Sequence, residues 1–201
     1  MNKVLVLYPA AFLCQSKFTR KVRNIVSKLG EFCIIFPHDK NGLITTCFAE
    51  NGTSITLLND SHWQTAEVSH AIVFDDGEEF PGEIEYLKNC GTPLRLIHIP
   101  ITRVVNIKKE TQYAALKTTP DYEYIGRGSY WGNPYSMFGT GDDRDEVIRK
   151  FQYDFEYEKF PNKEKSQVFK LAGKRLGCFC KPERCHGDVL ADYLNRWDDG
   201  K

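Results

Sequence analysis

The chain has no excess of charge of either sign. Lysine plus arginine and aspartate plus glutamate stand at 27 each in 201 residues. With that balance no global basic excess points to nucleic acid and no acidic excess points to a basic partner, though a local patch stays compatible with it. No apolar run is long enough to span a bilayer, so no membrane partner is expected. There is no internal repeat and no low-complexity tract. The start, MNKVLVLYPA, has one lysine and a short apolar run that passes into a charged amphipathic stretch, and is not read as a secretory signal. With no such signal, the seven cysteines are expected as thiols in a reducing cytoplasm and not as a disulfide framework.

What is present suits a folded α/β chain. Hydrophobic residues make up 41% and charged residues 27%, enough to bury a core. Lys3 to Leu7 contains a continuous apolar run, as expected of a strand covered on both faces. Ser16 is placed to cap a helix carrying Phe18, Val22, Ile25, Val26 and Leu29, with Gly30 near its end. Phe32 to Phe36 reads as a second strand. Asn51-Gly52, between Cys47-Phe48 and Ile55 to Leu57, predicts a hairpin. Trp63 to Val68 reads as a short helix. Ala71 to Phe74 is a third strand running into Asp75-Asp76-Gly77, and Pro81 opens a helix to about Cys90. Leu94 to Ile99 closes a Rossmann-like half. A boundary near Pro100 gives domains over 1–100 and 101–201.

In the second half Val104 to Ile107 and Tyr122 to Ile125 read as extended. Asp143 and Glu146 fit a capping box for a helix with Val147, Ile148, Phe151 and Phe155 inward. Gln167 to Ala172 reads as a shorter helix and Lys174 to Cys180 as a strand. A closing helix begins near His186 to Asp188 and turns Val189, Leu190, Tyr193, Leu194 and Trp197 inward. The predicted fold class is α/β: two small packed Rossmann-like halves with mainly parallel sheets.

Two loops carry polar chemistry. In YIGRGSYWGNPY, Gly126, Gly128 and Gly132 let a ligand approach the main chain, and Arg127 offers a planar fork for phosphate or carboxylate. Ser129 and Asn133 add hydrogen bonds, and Tyr130, Trp131 and Tyr135 offer flat surfaces for a base or sugar. The alternative is a tight loop whose aromatics fill the core. In CFCKPERCHGD three readings compete. Cys178, Cys180, Cys185 and His186 are the right ligand types for zinc, at an unusual spacing. A thiolate with His186 as its base would be a nucleophile. In the third, which we prefer, the strand cysteines pack as small apolar residues while Cys185, His186 and Asp188 shape an anion pocket. No cofactor is then expected, with zinc the alternative.

RVVNIKK, then YIGRGSYWGNPY, then LAGKRLGCFCKPERCHGDVLADYL, from Arg103 to about Asn195, resembles an uncharacterised phage and bacterial family of unknown function. The resemblance implies a small α/β fold with a shared polar site, and the host cytoplasm as its place if phage-encoded. A second uncharacterised family shares the first cysteine and the Cys-His pair but replaces the second strand cysteine, which implies that four-ligand zinc is not general to the group. VLVLYP with AIVFDDGEEFPGEIEYLKNCGTPLRLI is similar to the Rossmannoid group that includes nucleoside deoxyribosyltransferases. That likeness implies a nucleotide-related ligand and a helix-borne glutamate as nucleophile. Glu83 and Glu85 lie near the required place, although the family spacing falls on Tyr86; with Asp75 and Asp76 they are the candidate carboxylates for glycosidic-bond cleavage or transfer. The expected partner is a nucleotide-like small molecule. A non-catalytic module meeting nucleic acid or a protein, through Lys174, Arg175, Lys181 and Arg184, is the alternative. Nothing in the sequence sets the oligomeric state.

Overall fold

The computed structural model describes residues 1–49, 55–138 and 141–201. Two compact units divide the chain: Met1–Ile99 with Arg196–Lys201, and Pro100–Asn195.

In the first unit, β1 (Asn2–Leu7), β2 (Phe32–Phe36), β3 (Leu57–Asn59), β4 (His70–Asp75) and β5 (Leu94–His98) form one sheet in the order β3-β2-β1-β4-β5. Every pairing is parallel, with Val4 opposite both Ile34 and His70 and Ala71 opposite Leu94. Val4, Leu5 and Val6 are fully buried, because the central strand is covered on both faces and has no use for a polar position. Leu5, Leu7, Ile35, Ala71 and Val73 meet Trp63 and Leu87 in one cluster. Phe74 stacks on Phe12 and Phe18 in another aromatic group. The helices are α1 (Gln15–Val26), α2 (Leu43–Ala49) and α3 (Pro81–Asn89), the last with Pro81 in its first turn and Gly91 at φ +67° just beyond it.

Three local expectations are corrected here. Cys47 and Phe48 lie in α2, not in a hairpin strand; Leu43, Ile44, Cys47 and Phe48 recur at helical spacing and are all buried. The predicted turn at Asn51-Gly52 lies outside the described residues. Ser16 does not cap α1, whose cap position is Cys14 with no side-chain bond. Its hydroxyl instead donates to Asp198 at 2.7 Å, beside the Lys17–Asp199 and Arg20–Asp198 ion pairs at 2.9 and 2.8 Å. Of the predicted helix at 63–68, residues Trp63–Thr65 form a 3-10 turn.

In the second unit, β6 (Arg103–Asn106), β7 (Thr118–Thr119), β8 (Tyr122–Tyr124) and β9 (Arg175–Cys178) give the order β6-β9-β8-β7. β9 is parallel to both neighbours, and only β7 and β8 run antiparallel. α4 (Arg144–Glu156) and α5 (His186–Arg196) supply Ile148, Phe151, Phe155, Leu190 and Leu194 to an aromatic-rich core with Ile125 and Leu176. Asp143 caps α4 by accepting the Glu146 N–H at 2.8 Å, one half of the predicted capping box, while the Glu146 carboxylate accepts from Arg149. Gly177 is required in β9: a Cβ there would lie 2.0 Å from the hydroxyl of buried Tyr122. The segment Lys165–Leu171 is a 3-10 helix. β9 stops at Cys178, short of Cys180, and Trp197 is 43% exposed and not turned inward. The architecture is α/β with mostly parallel sheets.

Candidate functional site

The glycine loop leaves β8 through Ile125, whose N–H still bonds to Gly177 O at 3.0 Å. Two tight turns follow, Ser129 N–H to Gly126 O and Gly132 N–H to Ser129 O, both 3.1 Å. They press backbone against backbone. A Cβ on Gly132 would sit 2.6 Å from the Gly126 carbonyl oxygen, and Gly128 holds φ +85°. Beyond the turns, Asn133 donates to Val147 O at 3.1 Å and accepts the Tyr135 N–H at 2.9 Å, which ties the loop to α4. Tyr135 donates to Asp154 at 2.5 Å, and that bond pushes its pKa up to about 12.

The cysteine segment is held as firmly. Asp188 lies in the first turn of α5 and reaches back to the Cys185 N–H at 2.8 Å, the reciprocal half of a capping box. Lys181 pairs with the same carboxylate at 2.5 Å, and the Asn106 amide donates to the Phe179 and Lys181 carbonyls. This bracing brings three sulfurs together: the Sγ atoms of Cys178, Cys180 and Cys185 lie within 4.8 Å of one another, with Cys178 to Cys180 at 3.5 Å. Cys178 and Cys185 are buried and Cys180 is half-buried. Hydrogen bonds from Cys178 and Cys185, followed by the nearby Arg144 guanidinium, hold the Cys180 thiol well below its ordinary range against the effect of burial. The Cys185 thiol is pushed up in exchange.

His186 is not part of the sulfur cluster. Its Nε2 donates to Ile125 O at 2.8 Å, and burial pushes its pKa down, so the ring is a neutral core histidine. Its nitrogens lie outside the group of three sulfurs, so the described geometry does not gather it with them.

The two loops meet at one cleft of about 330 Å³. Gly126, Arg127, Asn133, Cys185 and His186 line it, together with Cys178 and Cys180. Gly128, Ser129, Trp131 and Asp188 are not on its walls. Trp131 is 4% exposed and packs edge-on to Tyr130 and Phe155, so it serves the core. Asp188 holds Cys185 in place instead of facing a ligand. Sequence reasoning missed Arg144 and placed Arg184 only in a nucleic-acid patch; both line this cleft. Arg144 is the first residue of α4, and only the direction of that helix brings it here. Two members of the proposed basic patch are spent internally, Lys174 on Glu123 at 3.6 Å and Lys181 on Asp188.

The first unit places its predicted carboxylates differently. Asp75 ends β4, accepts the Gly77 N–H at 2.8 Å and lies 3.4 Å from His98. Asp76 accepts the Glu78 and Glu79 N–H groups in a turn. Glu83 and Glu85 lie on α3, with Glu85 exposed. A small cleft of about 60 Å³ at the ends of β1 and β2 is lined by Tyr8, His38, Lys40 and Glu79, and by none of those four. Beside it, Tyr8 donates to Asp39 at 2.6 Å, and Asp39 accepts the Ile44 and Thr45 N–H groups at the start of α2.

Residues 1–105 match the family model of the minimal SLOG domain, over half of the chain. The chain belongs to the minimal SLOG domain family. Residues 105–196 match a second model, a domain of unknown function (DUF4326). An uncharacterised 12.4 kDa protein from the nrdA-td intergenic region of Enterobacteria phage T4 is 42% identical over 74 residues. That match spans 36% of this chain and 66% of the phage protein, just under two thirds of its length. No solved structure matches the chain. The second half thus shares an uncharacterised domain with a phage, and the Rossmannoid likeness of the first half agrees with the SLOG domain. A SLOG domain agrees with a nucleotide-related role. Among the described residues, no helix is long and apolar enough to cross a membrane.

Proposed function

We propose that the chain binds a nucleoside phosphate or nucleotide sugar, and that the cleft of the second unit receives the phosphate. One observation carries this reading. In a chain whose charges balance, the cleft walls hold Arg127, Arg144 and Arg184 and, among the described residues, not one carboxylate. Guanidinium forks match phosphate oxygens two at a time, which a lysine does not do. Tyr135, Phe138 and Phe179 add apolar walls, and the volume lies at the lower end of the range for small-molecule sites. A nucleotide-related family role supports the same ligand class. If the ligand is turned over, glycosidic cleavage or transfer is the chemistry to assay. Its candidate carboxylates, Asp75, Asp76, Glu83 and Glu85, belong to the first unit.

A melting screen over nucleoside mono-, di- and triphosphates and nucleotide sugars tests the proposal. One class is expected to raise the melting temperature saturably. Arg127→Ala or Arg144→Ala should weaken its binding about 10- to 100-fold, the loss expected for one charge-assisted phosphate contact. If no nucleotide shifts the melting temperature, the proposal fails. Steep salt-dependent binding to DNA or RNA in place of a nucleotide response would favour a nucleic-acid module.

A further inference from the structure

We propose that Cys178, Cys180 and Cys185 bind one zinc-class ion through three thiolates, leaving a fourth coordination position open toward the arginine-lined cleft. The inference starts from spacing. Tetrahedral zinc with bonds of about 2.3 Å holds its thiolate sulfurs about 3.8 Å apart. The three sulfurs here lie within 4.8 Å of one another, with one pair at 3.5 Å, so shifts of about an ångström or less bring all three onto a single ion. A disulfide would need one pair at about 2.0 Å and would leave the third sulfur aside. Three sulfurs in mutual reach are the arrangement of a metal site, not of a bonded pair.

The surroundings fit the same ion. Thiolates are soft donors that select zinc and its like over magnesium or calcium. Cys178 ends β9, Cys185 directly precedes α5 and Cys180 lies in the segment between them, which is braced from outside. Asp188 fixes the Cys185 backbone, Lys181 fixes Asp188, Asn106 holds two loop carbonyls, and the Glu183 N–H bonds to Cys180 O at 3.0 Å. Such outer partners orient metal ligands before the ion arrives. Three thiolates and a dication leave one negative charge, and Arg144 stands beside Cys180 to balance it. His186 lies outside the sulfur group, so among the described residues the cluster supplies three ligands. All three cysteines line the cleft, which is where a three-ligand site presents its open position. That position takes water or a donor atom of whatever the cleft binds.

This inference does not depend on the nucleotide reading, and one preparation separates them. The full chain is purified under reducing conditions and its metal content measured by plasma mass spectrometry. About one zinc per chain is expected, with X-ray absorption showing about three sulfur neighbours at about 2.3 Å and one lighter neighbour. Cys180→Ser and Cys185→Ser should each lose the metal. Cys90→Ser, in the other unit and exposed, should keep it, and so should His186→Asn. Should the buried Cys185 variant fail to fold, the half-buried Cys180 variant and the absorption spectrum of the wild type decide. The proposal is overturned if the reduced chain holds no zinc and added zinc leaves its thiols as reactive as before. It is equally overturned if folded His186→Asn loses the ion, because a fourth protein ligand would then be in place. A metal-free chain that binds nucleotide sinks this inference alone; a zinc-loaded chain that binds none sinks the other alone.

Discussion

The two units spend their polar residues in opposite ways. At the strand ends of the first unit, Tyr8, Asp39, Asn41 and Thr45 bond to one another and to the backbone of α2. The nearby cleft is about 60 Å³. In the second unit, Asp188, Asn106 and Asn133 do the structural bonding. Three arginines and three thiols are thereby left facing a cleft of about 330 Å³. The family match that points to nucleotides covers the first unit, while the cleft lined by three arginines lies in the second.

The largest test of that contrast is Phe151→Ala. Phe151 is fully buried and packs against Phe160 and His186 at centroid distances of 5.1 and 5.0 Å. Its truncation should cost about 3–5 kcal/mol. Hydrogen exchange should show the lost protection in residues 100–195; equal loss throughout residues 1–99 would break the description of the units as separate cores. Next is Gly132→Ala. The added methyl meets backbone, not a yielding side chain, so the loop must open at a cost of about 1–3 kcal/mol. Nucleotide affinity should fall with it, and an unchanged affinity would show that the loop's tight turns do not shape the cleft.

The smallest effect is expected from Asp39→Asn, about 1 kcal/mol at neutral pH from the loss of charge assistance. Burial pushes the Asp39 pKa up, but the Tyr8 hydroxyl and the Thr45 and Ile44 N–H groups outweigh it and hold the carboxyl below 3.8. A depressed carboxylate stabilises the fold above its unfolded pKa and loses that contribution as pH falls through the folded value. Denaturant midpoints should therefore drop more steeply below pH 3.8 in the wild type than in the variant. Nucleotide binding should not change in Asp39→Asn. If it does, the Tyr8–Asp39 group belongs to a ligand site and the contrast between the units weakens.

Much of the fold was legible because it rests on local signals. The apolar run through Leu7, the Pro81 start, the glycine after α3 and the Asp143 cap each report their own element. The helix at 43–49 was missed because Asn51-Gly52 is a strong hairpin signal, although Leu43, Ile44, Cys47 and Phe48 already carried the helical period. The site was legible only in part. Arg127 and Asn133 declare themselves by their glycine-rich context. Arg144 does not, since nothing local says where the start of α4 points. Trp131 misled because an aromatic in a glycine loop suits a ligand wall and a core equally, and here the core took it. The cysteine spacing argued against a metal when judged as a linear pattern. The loop geometry that brings the sulfurs together is set by Asp188 and Asn106, residues whose role only the structure shows.

The first unit is written in two instalments. Residues 196–201 belong to it, and they are synthesised only after every residue of the second. Lys17, 6% exposed, meets the Asp199 carboxylate only then, and Arg20 and Ser16 likewise wait for Asp198. Domains generally fold in the order in which they are made. Here the unit begun first is finished last, so a ribosome halted anywhere in the second unit leaves Lys17 and Arg20 of α1 without these two carboxylates. A truncation before Asp198 should accordingly be felt in α1 of the first unit, 182 residues upstream of Asp199 at Lys17 but in direct ionic contact with the tail.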